Sequence, residues 1–164
     1  MKVFIGWSGA VSRQVAELLR DWLPKVIQVL EPWMSKEDID AGKKWGPEVA
    51  KNLEEAKFGI LCMTPENLES TWIHFEAGAL SKVVDESLVC PYLYDLPPTD
   101  MVDPLAQFQW KKAEPDGTRQ LLRTINKALG DARLPDARLE DSLEKWMPEF
   151  EEGIAKISAT PAST

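Results

Sequence analysis

The stretch that most constrains the fold is the continuous apolar run at residues 58–63, Phe-Gly-Ile-Leu-Cys-Met. A half-exposed strand alternates apolar and polar residues, whereas a strand without polar positions is buried on both faces. The run is too short for a typical helix, and it ends at residues 64–67, Thr-Pro-Glu-Asn, which form a turn signal. It therefore predicts an interior strand of a parallel sheet that is covered by helices.

Other apolar runs of strand length alternate with amphipathic stretches along the chain. Strands are predicted at residues 2–7, 26–30, 87–93 and 108–110. Pro91 has no backbone N–H, which favours a position towards the sheet edge for the fourth strand.

Helices are predicted between these strands. The first begins at a Ser12 cap and ends at Pro24. Its apolar stripe consists of Val15, Ala16, Leu18, Leu19 and Trp22. A second helix starts at Pro47, a third carries Glu76, and a fourth follows residues 116–118.

This alternation predicts an α/β fold, a flavodoxin-like open sheet of about five parallel strands with helices on both faces. Ligands in such sheets bind outside the carboxyl ends of the strands, where the strand order switches. Those ends fall at residues 7–9, in the long polar connection at residues 31–46, and at residues 64–72.

The end of the chain carries a separate apolar stripe with acidic flanks. The stripe consists of Leu139, Leu143, Trp146, Met147, Phe150, Ile154 and Ile157, with Pro148 in its middle. We therefore divide the chain into a domain at residues 1–130 and a helical extension with a linker at residues 131–164. Three placements of the extension stay open: it packs back on the domain, it pairs with a partner, or it leads to a further sensor or effector domain.

The charge of the chain restricts its partners. The net charge is -8 at pH 7 and no basic block occurs, so nucleic acid is not an expected partner, because phosphate binding needs clustered Lys and Arg. No run of about 18 apolar residues is present, so no membrane span is predicted. The length of 164 residues fits one domain with a short extension.

Cys62 and Cys90 lie in separate apolar runs. We predict reduced thiols in the core of a cytoplasmic protein, because disulfides are rare in reducing compartments. A zinc site is not expected with one histidine and no close pair of cysteines, and we predict no metal and no cofactor.

Glu76 is the residue that points most directly to a function. On its predicted helix it shares a face with Trp72, Ala79, Leu80 and Val83. A carboxylate on an apolar stripe is costly unless something pairs with it or a reaction uses it. Two interpretations stay open: a buried Glu paired with a backbone group or a cation, and a catalytic carboxylate.

Three motifs, in this order on this predicted fold, resemble the bacterial branch of the TIR (Toll/interleukin-1 receptor) domain family. Residues 3–8, Val-Phe-Ile-Gly-Trp-Ser, are similar to the family's first box. The loop at residues 35–45 contains the Asp-Ile-x-x-Gly core of the family's long loop after the second strand. Residues 72–76, Trp-Ile-His-Phe-Glu, match the Trp-x-x-x-Glu motif of NAD-cleaving members. The resemblance covers residues 1–130.

The resemblance implies an NAD+ glycohydrolase or cyclase that breaks the bond between nicotinamide and ribose, with NAD+ as substrate and Glu76 as the catalytic carboxylate. Its products would be nicotinamide and ADP-ribose or a cyclic ADP-ribose isomer, and bacterial members commonly serve antiphage defence. The implied substrate-binding residues are Trp7, Ser8, Gly9, Asp40, Lys43, Trp45 and Trp72. The turn at Ser8 would bind the diphosphate, and Trp45 or Trp72 would stack on a flat base.

The resemblance also implies self-association, in which the loop at residues 31–46 of one subunit completes the site of the next. Two alternatives stay open. One is a non-catalytic TIR signalling or adaptor module, although an adaptor has no need for a carboxylate at Glu76. The other is an enzyme similar to nucleoside deoxyribosyltransferases, which also use a carboxylate at the anomeric carbon of a sugar.

Overall fold

The computed structural model describes residues 1–34, 51–52, 55–68, 89–101 and 109–159. The strands are β1 (Lys2–Gly6), β2 (Glu31–Met34), β3 (Phe58–Met63), β4 (Val89–Leu93) and β5 (Lys111–Lys112). The helices with complete descriptions are α1 (Ala10–Val26), α2 (Pro115–Ala128) and α3 (Asp136–Ala159). Short 3-10 turns span Pro98–Asp100 and Gly130–Ala132.

The strands form one parallel sheet in the order β2-β1-β3-β4-β5. The chain goes from β1 to its neighbour β2 and then returns to its other neighbour β3. The direction of the connections therefore switches between β1 and β3, and a crevice is expected at the carboxyl ends of these two strands. The sheet order and the helices confirm the predicted flavodoxin-like α/β fold.

The apolar run that predicted an interior strand is β3, and all of its residues are buried. The stripe predicted on α1 also faces the core: Val15, Ala16, Leu19 and Trp22 are buried, and Leu18 is partly buried. Cys62 and Cys90 are free thiols inside the sheet, as predicted. Burial of whole strands and of one helix stripe is the pattern expected for a sheet that is covered by helices.

The second strand was predicted wrongly at residues 26–30. The helix α1 continues through Pro24 to Val26, and β2 begins only at Glu31. Val26 and Ile27 are buried at the end of the helix, whereas the side chain of Val29 is 49% exposed in the turn. Pro24 removes only one N–H from the last turns of the helix, and the burial of its apolar neighbours compensates for this loss. The predicted connection at residues 31–46 therefore begins with a strand, and residues 35–46 lie outside the described residues.

On the other side of the sheet one prediction is confirmed and one needs correction. The strand β4, which carries Pro91, lies towards the sheet edge, between β3 and the two-residue strand β5. Pro91 pairs with Leu61 on β3, while β5 pairs only with the next two residues of β4. The fifth strand was predicted at residues 108–110 but lies at Lys111–Lys112; Trp110 is exposed in the preceding segment, and Phe108 lies outside the described residues.

Two predicted helix starts are also displaced. The helix α1 begins at Ala10, after Gly9, so Ser12 lies inside the first turn and does not cap it. The helix α2 begins at Pro115, so residues 116–118 form its first turn and do not precede it. Gly117 is needed there, because a Cβ atom would clash with the carbonyl oxygen of Lys112. The helix predicted after Pro47 is described only at residues 51, 52 and 55, which are helical.

The C-terminal stripe forms one continuous helix, α3, which includes Pro148 and packs back against α1 and α2. The Trp22 and Phe150 rings lie 5.2 Å apart between centroids, and Trp22 Nε1 donates a hydrogen bond to the carbonyl of Trp146 at 2.8 Å. Ser142 Oγ donates to the carbonyl of Val26 at 2.8 Å, which satisfies one of the last carbonyls of α1. The division at residue 130 stays a prediction.

Candidate functional site

The turn from β1 into α1 contains three of the predicted site residues, Trp7, Ser8 and Gly9. The Trp7 side chain is 3% exposed, and the Arg13 guanidinium lies 5.5 Å from the centre of its ring. Gly9 has φ 90° and ψ 163°, a backbone conformation that is essentially restricted to glycine. The turn therefore holds the buried Ser8 at the carboxyl end of β1, beside β3.

Buried polar groups join the carboxyl ends of β1 and β3. The N–H of Ser8 donates to Ser12 Oγ at 3.1 Å, and the Ser12 hydroxyl donates to the carbonyl of Cys62 at 2.8 Å. Asn67 Nδ2 donates to the carbonyls of Ser8 at 2.9 Å and Cys62 at 3.0 Å. Asn67 Oδ1 accepts a hydrogen bond from the N–H of Thr64 at 2.8 Å. We call Ser8, Ser12, Cys62, Thr64 and Asn67 the rim network, and it fixes the two strand ends relative to each other.

Glu66, which follows β3, reaches the start of α1. Its Oε1 accepts a hydrogen bond from the N–H of Val11 at 3.0 Å, and a carboxylate at the first turn of a helix is favourable because the N-terminal N–H groups carry positive partial charge. A Cβ atom on Gly9 would lie 2.6 Å from the same oxygen. The N-terminus of α1 therefore already holds an anionic group, so a diphosphate at this turn has to share it with the exposed Glu66 carboxylate or displace it.

Thr64 brings one unused hydrogen-bonding group to the rim network. Among the described residues its Oγ1 is a buried side-chain oxygen without a hydrogen-bond partner. A buried polar group without a partner costs about 1–3 kcal/mol relative to a satisfied one. The end of β3 can therefore gain stability from a polar group that reaches this hydroxyl.

The other predicted site residues, Asp40, Lys43, Trp45, Trp72 and Glu76, lie outside the described residues. Of the predicted set, the structure places only the residues of the β1–α1 turn. The place of Glu76 on an apolar helix face stays a prediction. The described part of the chain contains no group of three His, Cys, Asp or Glu that could hold a metal ion.

A concave region lies at the carboxyl ends of β4 and β5, with a volume of about 450 Å³. It is lined by Leu93, Tyr94, Asp95, Ala113, Glu114, Pro115 and Ile154. Asp95 and Glu114 make this cleft acidic, which disfavours an anionic ligand at the ends of β4 and β5.

Burial changes the acidity of three groups in the strands. Burial raises the pKa of the Cys90 thiol to about 12, and it raises the pKa of the Cys62 thiol as well, so both thiols are neutral at pH 7. Burial also raises the pKa of the Tyr92 hydroxyl, which pairs with Thr118 Oγ1 at 2.6 Å. Neutral thiols are poor nucleophiles and poor metal ligands, so these cysteines stabilise the core.

Sequence reasoning missed Ser12 and Asn67 as parts of this region. Ser12 was interpreted as a helix cap, and Asn67 as one residue of a strand-ending turn. The signal for Asn67 was present, because Asn side chains in turns commonly bond to nearby backbone groups. The bond from Ser12 to Cys62 joins residues 50 positions apart and has no local signal.

Comparison with known proteins supports the TIR resemblance. The family model described as "TIR domain" matches residues 3–126. No curated protein matches the chain. One similar solved structure is that of the TIR domains of the activated Roq1 resistosome directly recognizing the pathogen effector XopQ, with 19% sequence identity and a TM-score of 0.46. That match covers 95% of this chain and 82% of the other. Separately, no helix in the described ranges is long and apolar enough to cross a membrane.

Proposed function

We propose that this chain, which belongs to the TIR domain family, cleaves the bond between nicotinamide and ribose in NAD+, with Glu76 as the catalytic carboxylate. The observation that carries the proposal is the Trp-x-x-x-Glu sequence at residues 72–76, inside the matched range. That sequence follows soon after Asn67, which is bonded to the β1–α1 turn. Both segments come from strands that flank the predicted ligand crevice.

The reaction suits a site with one carboxylate. Nicotinamide in NAD+ is a cationic pyridinium, so the bonding electrons of the ribose–nitrogen bond move to the ring nitrogen and a neutral base leaves without a general acid. Ordinary glycosidases need a second carboxyl group for this protonation. The negative charge of Glu76 stabilises the cationic, oxocarbenium-like ribose that forms.

The attacking group decides the product. Water adds a hydroxyl group to the anomeric carbon, releases a proton and gives ADP-ribose. An adenine nitrogen of the same molecule gives a cyclic ADP-ribose isomer, and exclusion of water favours this route. Trp45 and Trp72 would stack on a base in this scheme, and such an aromatic face holds a flat ring at low entropic cost.

The proposed diphosphate contacts are at Ser8 and the turn around it, including Trp7 and Gly9, with Lys43 supplying positive charge and Asp40 contacting a hydroxyl. Two observations support a diphosphate site at the carboxyl end of β1: the glycine-only conformation of Gly9 and the bond of Glu66 to the first turn of α1. A carboxylate is held where an anionic substrate group would sit, and its exposed side chain can move aside.

We also propose self-association through the connection at residues 31–46 and a role in antiphage defence, with a sensor or effector domain or a partner protein as the activator. The first four residues of this connection, 31–34, form the strand β2. A head-to-tail contact of this kind gives open assemblies unless it closes into a ring. A cytoplasmic location is proposed from the free buried thiols, which suit a reducing compartment.

The test is nicotinamide release from NAD+ by the purified chain over a dilution series, beside Glu76→Ala. The proposal predicts release that the variant abolishes and a specific rate that rises with protein concentration. The adenine-containing product then separates hydrolase from cyclase. Absence of release at the highest concentration, also in a longer natural chain, would favour the adaptor alternative. Base exchange on deoxynucleosides without NAD+ cleavage would favour the deoxyribosyltransferase alternative.

A further inference from the structure

Asn67 is a buried amide that connects two strand ends through backbone groups only. Its side chain donates to the carbonyls of Ser8 and Cys62 and accepts from the N–H of Thr64, at distances of 2.8 to 3.0 Å. The residue is 1% exposed, so water does not replace these bonds freely. The amide bonds directly to both Ser8 and the turn after β3.

The pattern requires an amide at this position. The Nδ2 group faces two carbonyl oxygens, and Oδ1 faces an N–H group. A carboxylate of the same shape would accept from Thr64 but would place a negative oxygen against the carbonyls of Ser8 and Cys62, because an ionised carboxylate has no donor. An alanine would remove all three bonds.

We infer that Asn67 is a positioning residue for the proposed cleavage site, which aligns the β1–α1 turn at Ser8 with the segment that carries Glu76. This inference rests on the proposed function. Glu76 lies nine positions after Asn67 in the sequence, so the chain continues from the turn at residues 64–67 into that segment. The substrate's diphosphate and its reacting ribose must be aligned across these two segments.

Loss of Asn67 is therefore expected to misalign the site more than it weakens binding. The Ser8 turn can still contact NAD+, because Ser12 continues to hold its N–H group. The turn at residues 64–67, from which the chain continues towards Glu76, is however no longer fixed to the Ser8 turn, and we expect the reacting ribose to lose its alignment. A displacement of about 1 Å can reduce a rate about a hundredfold. A fall in kcat with little change in KM is the sign of an interaction that is lost mainly in the transition state.

The chain offers a matched control in Asn126. This residue is 3% exposed, its Nδ2 donates to the carbonyl of Leu134 at 2.9 Å, and its Oδ1 accepts from the N–H of Leu134 at 2.8 Å. It lies near the end of α2, on the order of 15 Å along the helix from Pro115 at the carboxyl edge of the sheet. Asn67→Ala and Asn126→Ala thus remove the same kind of buried, backbone-bonded amide at two distant places.

The experiment measures kcat and KM for nicotinamide release, with the melting temperature, for wild type, Asn67→Ala and Asn126→Ala. We expect both variants to lose similar thermal stability. We expect Asn67→Ala to lose at least about tenfold in kcat with KM changed by less than about threefold. Asn126→Ala should keep the wild-type kcat at temperatures where it is folded.

A second variant, Asn67→Asp, keeps the shape of the side chain in case Asn67→Ala does not fold. Its rate should be low at neutral pH and should recover relative to wild type as the pH falls, because a protonated carboxyl group regains one donor towards the two carbonyls. The rate is compared per folded molecule, measured by circular dichroism at each pH, because protonation of a destabilising buried carboxylate would by itself restore only the folded fraction.

Equal kcat values for Asn67→Ala and Asn126→Ala, or an Asn67→Asp rate that is parallel to wild type at every pH, would overturn the role of Asn67 and leave the proposed function intact. A wild-type chain that releases no nicotinamide would overturn the proposed function and this role with it. The two failures are therefore distinguishable in one data set.

Discussion

The two ends of α1 are held mainly by different kinds of interaction. Its first turn is attached to β3 and to the turn after it by directional polar bonds, from Ser12 to the carbonyl of Cys62 and from Val11 to Glu66. Its later turns also make hydrogen bonds to α3, but they are covered mainly by large apolar side chains, such as Trp22 against Phe150. Hydrogen bonds fix position closely, whereas apolar contacts depend mainly on the area buried.

This difference in interactions means that different parts of the molecule set the geometry of the site and the stability of α1. A net hydrogen bond contributes about 0.5–1.5 kcal/mol, while burial of one large apolar side chain contributes about 1.5–3 kcal/mol. The α1–α3 contact is therefore expected to supply most of the stability of α1, and the rim network most of the geometry of the site. Substitutions in the two regions should then change different measured quantities.

The largest effect on stability is expected for Phe150→Ala. The Phe150 side chain is 0% exposed between α3 and α1, and its truncation costs about 3–5 kcal/mol, or roughly 10 °C in melting temperature for a chain of this size. The rate per folded molecule should not change, since the residue packs on the far part of α1. Thermal unfolding and nicotinamide release measure the two quantities. A large loss of rate with unchanged stability would contradict the claim that the α1–α3 contact supplies stability and not the geometry of the site.

Unfolding at alkaline pH tests how the buried thiols contribute to stability, including that of Cys62, which belongs to both regions. The Cys62 carbonyl is in the rim network, but its thiol is in the core, and burial raises the pKa of this thiol and raises that of Cys90 to about 12. A raised folded-state pKa gives stability that is complete below the unfolded value of about 8.5 and is lost as the pH rises towards the folded value. The free energy of unfolding should fall above about pH 9, by roughly 1.4 kcal/mol per pH unit for each thiol.

Chemical denaturation at several pH values measures this slope, and Cys90→Ala is the control. The variant should lose roughly 1.4 kcal/mol per pH unit of the alkaline slope. A slope that the variant leaves unchanged would show that the thiol does not titrate as its burial requires.

Gly9→Ala should have a smaller effect on stability and a larger one on activity. The φ of 90° costs about 1–3 kcal/mol for a residue with a Cβ atom, and that atom would also displace the Glu66 carboxylate. The turn that holds Ser8 would change shape, so nicotinamide release should fall by more than the folded fraction does. Rates corrected by a simultaneous circular dichroism measurement test this, and proportional losses of fold and rate would contradict it.

The smallest effect is expected for the ion pair of Lys25 with Glu149, at 2.6 Å between α1 and α3. Both side chains are substantially exposed, so their coupling in a double-mutant cycle should be about 0.2–1 kcal/mol and should decrease with added salt. A coupling of several kcal/mol would show that this ion pair stabilises the α3 side as much as a buried apolar side chain does.

The sequence predicts those parts of the molecule that depend on local pattern. The strand β3 and the apolar face of α1 follow from the periodicity of their residues, and each packs as expected. The second strand was misplaced because Val26 and Ile27 have the same apolar signature at a buried helix end as in a buried strand. Periodicity over five residues does not separate the two cases.

The candidate site is predicted less completely, because long-range bonds define it. The place of Ser8 at a strand end follows from the fold, but its bond to Asn67 joins residues 59 positions apart. Likewise, the sequence alone predicts a helix cap at Ser12, and the bond of Ser12 to the end of β3 becomes visible only in the folded structure. Fold class can be inferred from repeated local patterns, whereas the partner of each buried polar group depends on the assembled sheet.

The most direct test of the central claim compares nicotinamide release from NAD+ by wild type and by Glu76→Gln at equal protein concentration. Glutamine keeps the size of the side chain and removes its charge, so only stabilisation of the cationic ribose should be lost. We predict release by wild type and a rate about 10²–10³ lower in the variant, with the same melting temperature. Equal rates in the two proteins would contradict a catalytic carboxylate at this position.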